Sequence, residues 1–426
     1  MPAIAKVLLI FTFIVLLNRF KLDLGISILV GTFCLGLWFG LSAQAALLVM
    51  GKSLTEPLTI MIILLVMLIL YLNQLLEKSG GSRKMVHHFA RLVKNFKVSL
   101  VSLPALIGLL PMPGGAYFSA PMVDQLTQDV ALTPERKTMI NYWFRHIWEF
   151  WWPMYPGVIM ALSLSGLPLR TFVSVQVIFT LVSLIAGYFI LLRNLPPHPA
   201  LEAAHGRVFK EELRKFLYHA LPVIIILFFM GALSLCEPLW ARGAIKGGAL
   251  TQYIPMFVGM VFAIVWIAGS ERYGPRTLVK ALLTKKILTL LFLVVAIMAY
   301  KKMLPECGAI SRMNAEFQAN HIPLLPIVVL LPFISGLVIA VAMGFVGASF
   351  PVVVSLTGHS PHFVAYISLA YAAGYVGMMV SPIHMCLVLT KDYFKALFSG
   401  IYRTLLPLCA VIFLFALAWF AFLRRF

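Results

Sequence analysis

Acidic residues are scarce in this chain of 426 residues: 15 Asp and Glu stand against 34 Lys and Arg, and charged residues of both signs make up only 12%. A soluble globular domain is about a quarter charged and about half apolar, whereas 61% of these residues are hydrophobic. That poverty of charge excludes a cytosolic enzyme, and apolar runs such as 58–72 and 411–423 place most of the chain in a lipid bilayer. A nucleic-acid partner is excluded with it, because in a membrane protein the net charge of +19 first sets orientation and contact with anionic lipid. Cysteine is sparse too. Cys34, Cys236, Cys307, Cys386 and Cys409 show no CxxC, no paired spacing and no zinc pattern, so they read as small apolar residues, and neither a metal nor a cofactor is expected. HExxH, GxGD and GxSxG are missing at any useful depth, which leaves an intramembrane enzyme without a motif. Only Lys6 precedes the first apolar stretch, and with no small-residue cleavage site close behind it an uncleaved first span is expected.

Spans of about 20 apolar residues are expected near 3–18, 24–50, 57–76, 139–164, 170–192, 216–240, 252–270, 286–303, 362–390 and 404–423. Two further stretches, 98–126 and 323–357, carry breaks at their midpoints, Leu110–Ala116 and Ala342–Ala348. Glycine and proline there interrupt the helix, and the freed backbone is tolerated only inside protein or along a cavity. Positive charge decides how these stretches run. If both are re-entrant hairpins, 23 Lys and Arg fall on the cytoplasmic side and 10 on the other, with Arg145 inside a span; if both cross, the split is about 17 to 16. The bias favours an all-α polytopic membrane protein with ten full crossings, two re-entrant hairpins and both termini outside.

The chain also repeats itself. Tyr71 and Glu77 recur as Tyr300 and Glu306, Leu103-Pro104 as Leu331-Pro332, Gly108 as Gly336, Ser119 and Pro121 as Ser349 and Pro351, and Pro153 as Pro382, at offsets of 228–230. An odd number of crossings separates the matched segments, so the halves are expected to insert upside down relative to each other, the architecture of secondary transporters with a midplane site. The expected organisation is a first repeat over 1–192 (hairpin 98–126, broken helix 139–164), a cytoplasmic linker over 193–215, and a second repeat over 216–426 (hairpin 323–357, broken helix 362–390).

Three segments, Pro111–Met122 (PMPGGAYFSAPM), His146–Pro156 (HIWEFWWPMYP) and Ser381–Leu387 (SPIHMCL), resemble the prokaryotic integral-membrane family called domain of unknown function 401. That family is grouped with the ion transporter superfamily of dicarboxylate, citrate, gluconate, lactate and arsenite carriers. The resemblance covers nearly the whole chain and implies a carrier of an organic or similar anion in the cytoplasmic membrane of a prokaryote, dimeric and moving as an elevator. The hairpin tips lack the Ser-Asn-Thr signature of the dicarboxylate carriers, so sodium coupling does not follow from it.

Gly114, Gly115, Gly344 and Gly347 at the hairpins allow backbone to approach a ligand closely, with the hydroxyls of Ser119 and Ser349 at matched places; packing through small residues is the competing role. Arg145, His146 and Glu149 lie inside a span, where ionisable groups are costly and point to function. Arg145 and Glu149 are spaced i,i+4 and can pair, which suggests Glu149 as a proton-coupling acid and Arg145 as its partner or the counter-ion of the substrate. Pro153, Pro156 and Pro382 break the two midplane helices. Ser381 and His384 occupy the second break, with His384 aligned to Tyr155. The expected activity is secondary transport of a small carboxylate-like anion coupled to H+. Sodium coupling is the alternative, and a channel the more distant rival.

Overall fold

The computed structural model describes residues 1–110, 115–195, 206–237, 250–320 and 323–425. Gly114 and the rest of 111–114 lie outside the described residues, as do linker residues 196–205. Among the described residues the regular structure is helical, with no strand. Helix starts follow local chemistry. Asp23, Ser42, Asn95, Thr133 and Thr284 each accept a hydrogen bond from a first-turn backbone N–H. Pro57, Pro134 and Pro156 begin their helices, where the N–H they lack would have no partner anyway.

The first half contains α1 (Ala3–Arg19), α2 (Leu24–Trp38), α3 (Ala43–Ser53), α4 (Pro57–Lys78), α5 (Gly81–Ala90), α6 (Phe96–Gly108), α7 (Ala116–Leu126), α8 (Pro134–Arg145), α9 (Pro156–Ser165) and α10 (Leu169–Gly187), the last extended by a π turn over Tyr188–Leu192. After α11 (Gly206–Leu235), α12 (Ile254–Ser270) and α13 (Pro275–Leu282) come α14 (Lys285–Glu306), α15 (Ala309–Asn320), α16 (Leu324–Ile339), α17 (Ala342–Thr357), α18 (Phe363–Met379), α19 (Met385–Phe394) and α20 (Phe398–Leu423). Six helices among the described residues are long and apolar enough to cross a membrane, over 57–78, 169–192, 207–235, 251–270, 285–306 and 398–423. Each falls on an expected span.

Two expectations are corrected. The stretch 24–50 is two helices, α2 and α3, because Gly40 at φ +100° turns the chain and Ser42 caps the next helix. In 323–357 the break falls at Ala340, in the left-handed region at φ +58°, and Gly344 and Gly347 lie inside α17. Those glycines serve packing: a Cβ would fall 2.4 Å from Ile339 Cγ2 at Gly344 and 2.2 Å from Ile297 Cδ1 at Gly347. The break expected in 98–126 does lie between α6 and α7. At 13 and 11 residues these helices reach only about 20 and 16 Å, short of the ~30 Å hydrocarbon core.

Helices α4 to α10 recur in order as α14 to α20, with first residues 226–229 positions apart. The halves interlock by exchange, since α7 packs on α19 while α9 packs on α17. Equivalent close approaches mark both. A Cβ on Gly108 would lie 2.1 Å from the Arg145 carbonyl oxygen, and one on Gly336 would lie 2.2 Å from that of Gly374. The Trp152 indole N–H donates to the Leu109 carbonyl at 3.0 Å, and the Ser381 hydroxyl donates to that of Leu337 at 2.6 Å. Gly108→Ala and Gly336→Ala are each expected to cost about 1–3 kcal/mol through overpacking against backbone that cannot yield. Gly269→Ala, with nothing within 4 Å, is expected to leave stability unchanged or slightly raised. Thermal unfolding in detergent reads all three, and an unperturbed Gly336→Ala melt would contradict the packing.

Candidate functional site

Both helices expected to be interrupted are broken. α8 stops at Arg145 and α9 begins at Pro156; α18 stops at Met379 and α19 begins at Met385. Pro153 and Pro382 fall inside the interruptions and Pro156 opens α9. Tyrosines from the opposite half serve the carbonyls around them. Tyr371 and Tyr375 donate to the carbonyls of Glu149 and His146 at 2.8 and 3.2 Å, and Tyr142 donates to that of Met379 at 2.9 Å. Trp148 donates to Ala105 O and Trp151 to Thr180 Oγ1, so these indoles fasten the first break to its neighbours.

A cavity of about 700 Å³ opens beside the breaks. The first residues of four helices reach it: Pro156 and Gly157 of α9, Ala342 and Met343 of α17, Met385 and Cys386 of α19, and Lys285 and Lys286 of α14. Arg145 and Glu149 lie at its buried end, Lys285 and Lys286 at its exposed end. Leu70, Leu290, Val341, Met343 and Met378 give it mostly apolar walls. Helix N-termini carry partial positive charge, so three cations and four helix starts oppose one carboxylate.

Arg145 Nη1 stands 3.8 Å from Glu149 Oε1 and 3.4 Å from His146 Nε2. The backbone of Gly115 lies against the guanidinium, where a Cβ would come within 2.5 Å of Nη2. His146 Nδ1 donates to Tyr142 O at 2.6 Å, His384 Nδ1 donates to Ala340 O at 2.9 Å, and the two Nε2 atoms stand 3.3 Å apart. Of the residues singled out in the sequence, Gly115, Arg145, His146, Glu149 and His384 therefore come together. Ser119 and Ser349 instead donate to carbonyls of their own helices, those of Ala116 and Phe345. These serines, Gly344, Gly347 and Ser381 are absent from the cavity wall formed by the described residues. Sequence reasoning missed Lys285, Lys286, Cys386 and Asn141, whose amide joins Ala116 O to Thr390 Oγ1. Tyr142 and Tyr371, 229 residues apart, were a visible signal within the repeat.

A family model described as Protein of unknown function (DUF401) matches residues 3–242 and 245–424. The chain belongs to this family. No curated protein matches it. Among solved structures, this DUF401 chain is similar to a transporter, YdaH of Alcanivorax borkumensis, whose crystal structure is described as revealing an unusual topology. Identity is 14% and the TM-score 0.59, over 88% of this chain and 86% of that one, a likeness of fold. The DUF401 fold seen here is an all-helical, multi-pass membrane fold. Tyr371→Phe and Tyr375→Phe each leave a buried carbonyl short of a donor. Each is expected to lower stability by about 1–3 kcal/mol, read as a lower unfolding temperature in detergent; an unchanged temperature for both would remove the tyrosines from support of the break.

Proposed function

We propose that this protein is a secondary transporter of a small organic anion, coupled to protons, with the cavity beside the two broken helices as its substrate site. The observation that carries this reading is the convergence of Arg145, Lys285, Lys286 and four helix starts on one cavity with apolar walls. Such a site favours a carboxylate or similar anionic group attached to an apolar body. The similarity to a transporter fold supports it. The charge bias puts Lys285 and Lys286 on the cytoplasmic side, so the cavity opens towards the cytoplasm. The inverted arrangement of the halves, an elevator motion and a homodimer belong to the same reading.

Glu149 supplies the coupling. Ionised, it competes with substrate for the charge of Arg145, 3.8 Å away. Protonated, it releases that charge to the anion, so proton and anion travel together. Glu149→Gln is therefore expected to abolish uphill uptake driven by a pH gradient in proteoliposomes while retaining substrate counterflow. Arg145→Gln is expected to abolish both. Unchanged proton-driven accumulation by Glu149→Gln would remove this residue from the mechanism. Lys285→Gln with Lys286→Gln is expected to raise KM roughly tenfold, most strongly at low salt, through lost steering. The substrate class is found by a thermal-shift screen of carboxylates, gluconate-like acids and oxyanions at two pH values, with and without sodium. A sodium-dependent shift would transfer coupling to a cation site, and the absence of any stabilising anion would overturn the reading.

A further inference from the structure

We infer that His146, His384 and Cys386 form a binding site for a soft or borderline transition-metal cation, Zn2+ or Cu+. All three residues are buried, and one potential ligand atom from each lies within 4.8 Å of the others. The orientation of the rings carries the argument. A carbonyl oxygen only accepts, so the bonds from Nδ1 to Tyr142 O and Ala340 O place the proton of each neutral ring on Nδ1. Each Nε2 then presents a lone pair, and the two nitrogens stand 3.3 Å apart. Two such lone pairs repel; the Arg145 N–H meets only that of His146, at a long 3.4 Å, and a cation bound between the rings would engage both. In a tetrahedral site with metal–nitrogen bonds of about 2.0–2.1 Å, the nitrogen–nitrogen edge is about 3.3 Å.

The surroundings have the form that a metal requires. A metal-bound histidine characteristically donates its other ring N–H to a carbonyl or carboxylate, which fixes the tautomer and the ring plane; both rings do so here. Cys386 supplies a soft donor, and a set of two imidazoles and one thiolate selects zinc or copper over magnesium or calcium. His384 and Cys386 also line the cavity, so a fourth coordination position opens towards a ligand entering it. On binding, the thiol gives up its proton to solvent and its sulfur takes the metal. Arg145 Nη1, 3.4 Å from His146 Nε2, opposes a cation, while Glu149 Oε1 at 3.8 Å and the Cys386 thiolate offset it. The net charge is then zero with Cu+ and +1 with Zn2+, which leaves the divalent form a place for an anionic fourth ligand.

The site stands independently of the transport reading, and its test needs no transport. Full-length protein in detergent is stripped with a chelator, then titrated with Co2+ as a coloured substitute for Zn2+ and, anaerobically, with Cu+. One equivalent per chain is expected. Bound Co2+ should show a thiolate-to-metal charge-transfer band that Zn2+ displaces, and saturation by Cu+ alone would assign the site to copper. Cys386→Ser should lose the band, and His384→Gln should weaken binding at least tenfold, with size-exclusion profiles like the parent's. Cys409→Ser, which alters a buried cysteine outside the cluster, should bind normally. X-ray absorption of the metal-loaded parent protein should show two nitrogens and one sulfur, which keeps the proposal testable even where a variant misfolds. Failure of Co2+, Zn2+ and Cu+ all to bind stoichiometrically, binding unchanged in both cluster variants, or a shell without sulfur would overturn the site.

Discussion

A helix broken inside a bilayer must find partners for the backbone groups that it releases, and the central architecture here follows from that requirement. Each unsatisfied amide in hydrocarbon costs several kcal/mol, so the breaks at 146–155 and 380–384 survive only because other side chains reach them. Tyr371 and Tyr375 reach from the second half into the first break, and Tyr142 reaches from the first half to the second. Tyr402 adds a bond to Val380 O. Because Tyr371, Tyr375 and Tyr142 each donate across to the other half, neither break keeps all of its partners without the other half in place. The local interruption and the global pairing of the halves are thus one physical event.

The same breaks create the electrostatics of the site. Within a continuous helix each interior N–H donates to a carbonyl of the preceding turn; an interruption leaves the first N–H groups of the restarted helix unpaired and creates a new positive end. α9 and α19 restart beside the cavity in this way, and α17 begins there after the turn at Ala340. The guanidinium of Arg145 lies at the end of α8, under the backbone of Gly115. Glycine at 115 leaves the guanidinium its place, since a Cβ there would displace it. Charge, helix ends and close packing all depend on where the chain breaks.

Much of this was legible from composition and spacing. Apolar length located the long helices, and the recurrence of Pro104 and Pro332, Gly108 and Gly336, and Pro153 and Pro382 disclosed the repeat. An acid in a span singled out Glu149. The hairpin glycines were the less reliable guide, since Gly344 and Gly347 pack against Ile339 and Ile297 while Ala340 makes the turn. Glycine permits both a turn and a close helix contact, and a one-dimensional pattern does not distinguish these uses.

The sequence by itself determined the solvent, the helical class, the internal repeat and the two interrupted helices, because hydropathy, charge and proline act locally along the chain. Only the tertiary structure decided which side chains share a site. Cys386 carried no motif, and His146 lies 238 residues from His384, yet their ligand atoms converge. Lys285 and Lys286 read as ordinary cytoplasmic charge until α14 placed them at the cavity mouth. Such meetings depend on the docking of one half against the other, and the long-range packing that brings them about leaves no periodic trace in the residues it joins.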